Sequence, residues 1–530
     1  MKKLSEIKIL NNPRFWLVII TIIGVLARIV NLSTDPRGLH QDEAFSAYNS
    51  WAVLNYGIDS VGDVRPVYYT AWGSGMSILY SYFTMPLFKL LGVSVWTIRL
   101  PQAIMGALCI PVMYGLCKEL FESEWNALVC AALLCINPWH IQQSRVAIDA
   151  CLAVPIFLIA MYFWARYLNG KRKSIFPAAF FFGLTLYSYA LMWIIVPSVI
   201  VITFLFYSRR FSFDPKLFIA AIILFVMALP LMLFVLVNRG IIPEINGKLF
   251  TIPKLMSARI NEFDFHTWVI KERFLSFVDM LFITGHDERW WISNAKVGSF
   301  YYISVPFIVI GLVYHLVWFV KTLIKKEKLP LHFLFAIWFG VSFILGSLLE
   351  LVKYHKVNYI MIPMVFYTAL GIFFIYKILK EKVWVSYAFV LIYAVCFLIF
   401  IYDHVFFTID YSKYGDNWDS RINYSGYEKA LDKAKEVTDG KIYVSSLSFA
   451  NVMLYEEIPP KEYVETVKYD NVNLQFLNAV SFGRYVFNQI PKDDEDAAIV
   501  CPYTEEEKLV RAGYTVIHSD VGYITAYKNK

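Results

Sequence analysis

The apolar run Phe15-Trp16-Leu17-Val18-Ile19-Ile20-Thr21-Ile22-Ile23-Gly24-Val25-Leu26-Ala27-Arg28-Ile29-Val30 is followed, across a short polar loop, by Gly38-Leu39-His40-Gln41-Asp42-Glu43-Ala44. The run is long enough to approach a bilayer span, with Arg28 its one charge. It lacks a small-residue cleavage site and reads as a retained span, not a removed signal peptide. Two adjacent carboxylates at the mouth of a span are expensive to keep near lipid, so they have either a partner or a task.

The rest of the chain repeats the first run. Of 530 residues, 58% are hydrophobic and only 17% are charged, against roughly a quarter in soluble domains. Mean hydropathy is +0.52. The expected fold class is a polytopic α-helical membrane protein. Apolar stretches predict about eleven spans, near 15–32, 95–117, 125–142, 150–168, 175–190, 191–207, 217–237, 299–320, 331–350, 357–378 and 384–403. The fifth and sixth share one run, with Tyr187-Ser188-Tyr189 as their turn. Residues 1–403 read as this membrane module. Residues 404–530, where polarity rises sharply, read as a small soluble α/β domain. Strand patterns fall at Lys441–Ser445 and Ala497–Cys501, and helical patterns at Tyr427–Val437 and Glu505–Ala512.

The net charge of +7 is confined to short loops, which argues for membrane orientation and against nucleic-acid binding. Lys2, Lys3, Lys8 and Arg14 precede the first span. Lys171-Arg172-Lys173, Arg209-Arg210, Lys321 to Lys328, and Lys377 to Lys382 occupy alternate loops. The positive-inside rule makes those loops and the N-terminus cytoplasmic, and Asp42 and the C-terminal domain extracytoplasmic. The expected location is a bacterial plasma membrane. Six of the seven cysteines lie in apolar segments and Cys501 lies in the tail; their spacing outlines no disulfide framework or metal site.

Two outer loops are long, 33–94 and 238–298. In the first, Phe45, Tyr48, Trp51, Ala52 and Asn55 recur at helical spacing, as in a helix lying on the membrane interface. Residues 75–91 read as a second such helix. Arg65-Pro66-Val67-Tyr68-Tyr69 and Trp72-Gly73-Ser74-Gly75 lie between them. Tyr69 and Trp72 either stack on a sugar or belong to an interfacial aromatic belt. The second loop carries Gly285-His286-Asp287-Glu288-Arg289, where adjacent His286 and Asp287 are poor evidence for a metal. At the next outer turn, Ser144-Arg145-Val146-Ala147-Ile148-Asp149 would set Arg145 and Asp149 one helical turn apart on one face. Lys353-Tyr354-His355-Lys356 occupies a short outer loop, where basic residues are disfavoured. They bind either an anionic headgroup or, by snorkelling, ordinary phospholipid.

The Asp-Glu pair, Ser-Arg-x-x-x-Asp before the fourth span, and a basic residue before a Tyr-x-x-x-Pro span resemble GT-C-fold membrane glycosyltransferases. So do Trp72-Gly73-Ser74-Gly75, Leu79-Tyr80 to Pro86, Arg99-Leu100-Pro101 and Gly285-His286-Asp287. The resemblance is to the bacterial protein O-mannosyltransferase and lipid A aminoarabinose transferase superfamily, over about residues 10–405. It implies a polyprenyl-phosphate-linked sugar as donor, an extracytoplasmic glycan, lipid or protein as acceptor, and inversion at the anomeric carbon. It further implies that Asp42 is the catalytic base, with Glu43 and Asp149 as companion acids. Arg145, Lys356 with His355, and Arg65 would then hold the donor phosphate. No metal or other cofactor is required by that chemistry, in which the lipid-linked donor is the co-substrate. Two other classes fit a polytopic chain. A lipid-diphosphate-dependent glycan polymerase or ligase would share the polar outer loops. A lipid-linked sugar transporter would place charges in mid-span and show internal repeats.

Overall fold

The apolar runs fold as helices. The computed structural model describes residues 11–211, 215–256, 267–285, 297–349, 353–402, 426–470, 477–492, 495–519 and 522–528. Among the described residues, eight helices are long and apolar enough to cross a membrane: Val95–Leu120, Asp149–Leu168, Met192–Arg210, Pro215–Asn238, Ser304–Ile324, Leu331–Leu348, Tyr354–Ile378 and Val383–Ile401. The expected segments near 15–32, 125–142 and 175–190 are also helical but shorter, as Pro13–Ile29, Glu124–Cys135 and Ile175–Leu186. Tyr187-Ser188-Tyr189 lies in the turn that separates Ile175–Leu186 from Met192–Tyr207.

By backbone contacts the chain forms two compact units. The first comprises Met1–Asn31, Leu100–Leu229 and Ile260–Phe407. Its inner helices are Asp149–Leu168 and Tyr354–Ile378, each 78% buried over its most apolar stretch, whereas Ser304–Ile324 and Val383–Ile401 are 22% buried. The exposed positions of Ser304–Ile324 include Val309, Val313, Leu316, Val317 and Val320, an apolar face suited to lipid tails. Its opposite face packs on the helix Met361–Ile378. A Cβ at Gly311 would overlap the Tyr367 carbonyl oxygen, and one at Gly371 the Phe307 carbonyl oxygen. Glycine lets the two backbones touch, the usual device where the hydrophobic effect cannot hold helices together.

The second unit comprises Leu32–Arg99, Pro230–Arg259 and Thr408–Lys530. Its centre is a seven-stranded mixed sheet in the order Thr515–His518, Tyr523–Tyr527, Ala497–Pro502, Lys441–Val444, Tyr485–Phe487, Ala479–Phe482, Lys468–Tyr469. Lys441–Val444 runs parallel to both its neighbours; the other pairings are antiparallel. Tyr443, Val486, Ile499, Cys501, Ile524 and Ala526 form one core cluster. The helix Tyr427–Val437 packs on the sheet with Ala430, Leu431 and Ala434 buried. Both strand patterns and both helical patterns expected in the tail are thus realised, the last as Glu506–Arg511.

Residues 33–94 belong to this same unit. Its helix Gln41–Tyr56 is not a one-faced interfacial helix. Every residue from Glu43 to Val53 is buried, so protein covers it all round. Polar side chains bind it to the helix Leu79–Leu91: Ser81 donates to the Ser46 carbonyl and Thr84 to Ser50 Oγ. Residues 69–76, which partly overlap the second expected interfacial helix, form a hairpin, Tyr69–Ala71 against Ser74–Met76. From the tail, the Asn451 amide donates to the Leu39 carbonyl at 3.0 Å, and the Tyr48 hydroxyl donates to Ile458 at 2.7 Å.

Candidate active site

The helix Gln41–Tyr56 separates the two adjacent acids. His40 is its N-cap: the Asp42 N–H donates to His40 Nδ1 at 3.2 Å, and the His40 N–H donates to Glu43 Oε2 at 3.0 Å. This reciprocal arrangement is a capping box with an imidazole in the place of the usual hydroxyl. Gly57, at φ 73°, closes the other end. Successive helical residues point about 100° apart, so Asp42 and Glu43 meet different surroundings.

Glu43 turns inward. Arg99 Nε and Nη2 donate to its two carboxylate oxygens, both at 2.9 Å, and neither side chain is exposed. Arg99 also donates to the carbonyls of Leu32, Pro36 and Gly38. All five guanidinium N–H groups are therefore engaged, and they fasten the segment from Leu32 to Glu43. Expected as a companion acid, Glu43 is instead enclosed as a holding group. Asp42 turns outward: its side chain keeps 30% of its exposure, and Oδ2 lies 3.6 Å from His40 Nδ1. In the sequence Arg99 stands out within Arg99-Leu100-Pro101 and as a cation inside an apolar run, a charge that demands a partner.

Past this helix, Asp59 closes a tight loop. Its Oδ1 accepts from the N–H groups of Val61 and Asp63, while Oδ2 is buried without a hydrogen-bond partner. Burial, and then the Asp63 charge, push its carboxyl up to about 7. Burial, and then Glu244, raise Asp63 to about 6. The sequence reading passed over both residues; the signal was acids spaced through a glycine-containing turn, which looks like ordinary solvated loop chemistry.

The remaining expected residues of this loop differ in availability. Arg65 is exposed, with a positive φ of 39°. Tyr69 is 1% exposed; burial raises its phenol, and Ser81 is its hydrogen-bond partner. Its ring is part of the packing and presents no open face. Trp72 and Gly73 form the hairpin turn with φ of 50° and 77°, the positive values that a two-residue turn requires. The Trp72 ring lies 4.8 Å from Phe45 and 6.1 Å from Phe449, and its carbonyl accepts from Leu477.

In the membrane unit, the expected Arg145–Asp149 helical face does not exist. The helix Pro138–Gln143 ends before Arg145, and Asp149 begins the next helix, Asp149–Leu168. Proline at the first position and Asn137 as N-cap start the short helix and use its few residues. Arg145 is 2% exposed and donates to the carbonyls of Ala27 and Asn31, at the end of the helix Pro13–Ile29, where the dipole is negative. Arg28 does likewise for the carbonyls of Leu134 and Cys135 and lies 2.6 Å from His140 Nδ1. Asp149 is half-buried at a positive helix end, with Oδ1 accepting from the Ala150 N–H.

The structure brings His355 and Lys356 to this same helix. They lie in the turn Tyr354–Val357, both half-buried. The Tyr354 hydroxyl donates to the Met280 carbonyl, and the Asn358 amide donates to the Ala150 carbonyl at 2.7 Å. Asn358, two residues after Lys356, therefore anchors that basic turn beside the start of the Asp149 helix. Among the described residues, no group of three or more His, Cys, Asp or Glu side chains is placed to hold a metal ion. His286 and Asp287 lie outside the described residues.

Residues 76–234 match the family described as dolichyl-phosphate-mannose-protein mannosyltransferase. Human protein O-mannosyl-transferase 1 is 29% identical over 178 residues, which span 32% of this chain and 23% of that protein; the rat protein is 28% identical over the same length. The chain thus covers about a quarter of these relatives. Among solved structures, apo ArnT from Cupriavidus metallidurans superposes with a TM-score of 0.54 over 96% of this chain and 97% of that one, at 14% identity. The same protein bound to undecaprenyl phosphate gives 0.53 at 15% identity. The Archaeoglobus fulgidus oligosaccharyltransferase in complex with zinc and sulfate gives 0.52 at 13% identity, over 96% of this chain and 72% of that one. The fold is that of these membrane proteins. In sequence the chain is similar to that mannosyltransferase family over residues 76–234, and over nearly its whole length it shares the fold of ArnT and of the Archaeoglobus fulgidus oligosaccharyltransferase.

Proposed function

We propose that this protein is an inverting glycosyltransferase that moves a sugar from a polyprenyl-phosphate donor to an extracytoplasmic acceptor. The observation that carries the proposal is the division of labour at residues 42 and 43. One acid keeps its access to water while its neighbour is consumed by a five-bond arginine anchor that fixes the shared backbone. Such a scaffold is what a positioned general base requires. The family match and the bound undecaprenyl phosphate of the ArnT relative support the choice of donor.

The chemistry is a single displacement. An acceptor O–H or N–H gives its proton to Asp42 as the oxygen or nitrogen attacks the anomeric carbon. The bond from that carbon to the phosphate oxygen breaks, and its electron pair leaves with the lipid phosphate. Attack opposite the leaving group inverts the anomeric centre. The phosphodiester becomes a monoester, so negative charge grows on the phosphate and calls for cations. Lys356, with His355 beside it, and Arg65 are assigned that role. Asp149 is assigned to the donor sugar's hydroxyls. Arg145 is held by the carbonyls of Ala27 and Asn31 and so ties its segment to the end of the helix Pro13–Ile29. The eleven helical segments are assigned as spans of a bacterial plasma membrane, with an inner N-terminus and an outer site.

The test is donor consumption by the purified full-length protein in lipid–detergent micelles, with a panel of polyprenyl-phosphate hexoses and pentoses. Wild type turns over one donor and folded Asp42→Asn does not. Consumption of a lipid diphosphate donor instead would establish the polymerase or ligase class. An active Asp42→Asn would reduce Asp42 to a helix-end acid.

A further inference from the structure

His40 is an unusual N-cap, and its geometry has a chemical consequence. To accept the Asp42 N–H at 3.2 Å, Nδ1 must carry a lone pair, so the cap exists only while the ring is neutral. The same nitrogen lies 3.6 Å from Asp42 Oδ2. A proton arriving on Nδ1 removes the acceptor and places a cationic N–H donor beside the carboxylate. The cap weakens and the carboxylate gains an ion-pair partner in one event. Imidazole is the side chain whose unperturbed titration falls between pH 5 and 8, so a pH scan is the direct probe of this event.

Resting on the assignment of Asp42 as general base, we propose that His40 is a positioning residue whose neutral form holds Asp42 ready and whose protonation disables it. The geometry sets Glu43, Arg99 and Glu428 on partners of their own. Glu43 accepts the His40 N–H through Oε2 but is locked on Arg99. Asp35, and Tyr455 from the C-terminal residues, lie near Arg99, and Glu428 is bound to Tyr455. Arg37 lies three residues back in the same loop. Asp42 Oδ2 lies 3.6 Å from Nδ1. Protonated His40 therefore pairs with the base itself, and the acid limb of activity follows the imidazole.

Three variants of the full-length enzyme test this: His40→Asn and His40→Ser, which cap helices but do not titrate, and Asp42→Asn. The measurement is kcat/KM for donor consumption from pH 5.5 to 8.5. In wild type, one protonation lowers kcat/KM about tenfold per pH unit below its midpoint. His40→Asn and His40→Ser are expected to match wild type within about threefold at pH 8 and to move the acid limb down by at least about one pH unit. KM for the donor at pH 8 stays unchanged. A wild-type acid limb in both variants, with Asp42→Asn dead, overturns the role of His40 and leaves the base intact. An active Asp42→Asn removes the base, and this proposal with it.

Discussion

Glu43→Gln separates an anchoring acid from a reacting one. The substitution keeps the shape but removes the negative charge from a pair in which both side chains are fully enclosed. Removing one partner of such a pair costs roughly 3–5 kcal/mol, because the other charge stays buried. Arg99→Met is the harsher change. It strands the Glu43 carboxylate and the carbonyls of Leu32, Pro36 and Gly38, each unsatisfied group adding roughly 1–3 kcal/mol. Both variants are expected to lower the apparent melting temperature in detergent, Arg99→Met more. The double variant Glu43→Leu/Arg99→Met should be less destabilised than the sum of its singles, since no uncompensated charge remains. Activity should fall with the folded fraction and with loss of Asp42 placement. The assay is thermal unfolding beside donor turnover on the same preparation. A Glu43→Gln protein with the wild-type melting temperature and no turnover refutes the anchoring assignment and makes Glu43 a reactant.

Other consequences follow from the same structure. Asp59, its carboxyl held at about 7 by burial and by Asp63, binds its proton more tightly in the folded chain than in the unfolded one. Stability present below about pH 4 is therefore lost as pH rises through 7, by roughly 4 kcal/mol at full ionisation. Asp59→Asn should flatten that slope in melts between pH 5 and 8.5, and an unchanged slope would assign it to another group. Gly311→Leu should separate two touching helices and cost at least about 2 kcal/mol by overpacking, seen as loss of folded protein on size exclusion; a wild-type profile would mean the helices do not meet there. Lys356→Met should lower kcat/KM about 100-fold, while Lys356→Arg, which restores charge and adds a fork, should recover most of it. Equal activity in all three would release Lys356 from the phosphate.

Much of the membrane architecture was legible because lipid imposes a length and a composition that a window of sequence reveals. Each expected apolar segment is helical, and shortening at Glu124–Cys135 and Ile175–Leu186 reflects caps and turns that hydropathy does not see. In the tail, two of the seven strands and the helices Tyr427–Val437 and Glu506–Arg511 were legible from period; the other five strands and the helices Phe449–Tyr455 and Pro460–Thr466 were not. What failed was local geometry at the polar sites. Arg145 and Asp149 have helical spacing, but their separation is interrupted because Pro138 starts a helix that Ser144 ends. The aromatic spacing from Phe45 to Asn55 is that of an amphipathic helix. Nothing in that spacing reveals that Ser46, Asn49 and Ser50 on its polar side would also be buried, satisfied by Ser81, Thr84 and the helix's own carbonyls. Polar residues buried with partners imitate exposed ones in a sequence.

The placement of Asp42 depends on residues from distant parts of the chain, which gives the C-terminal residues a physical reason to exist. The segment Leu32–His40 has little regular structure, so its backbone groups need outside partners. Arg99 supplies donors to three of its carbonyls. Asn451, fully buried in the helix Phe449–Tyr455, supplies the donor to a fourth, Leu39, three residues before Asp42. The Tyr48 hydroxyl, on the helix that Asp42 begins, reaches the Ile458 carbonyl. Trp72 is flanked by Phe45 from that helix and Phe449 from the tail. Exposed segments without regular structure are not rigid unaided. Here Arg99 and the tail together supply those outside partners, and residues beyond the last apolar helix pack in one unit with residues 33–94 instead of forming a separate appendage.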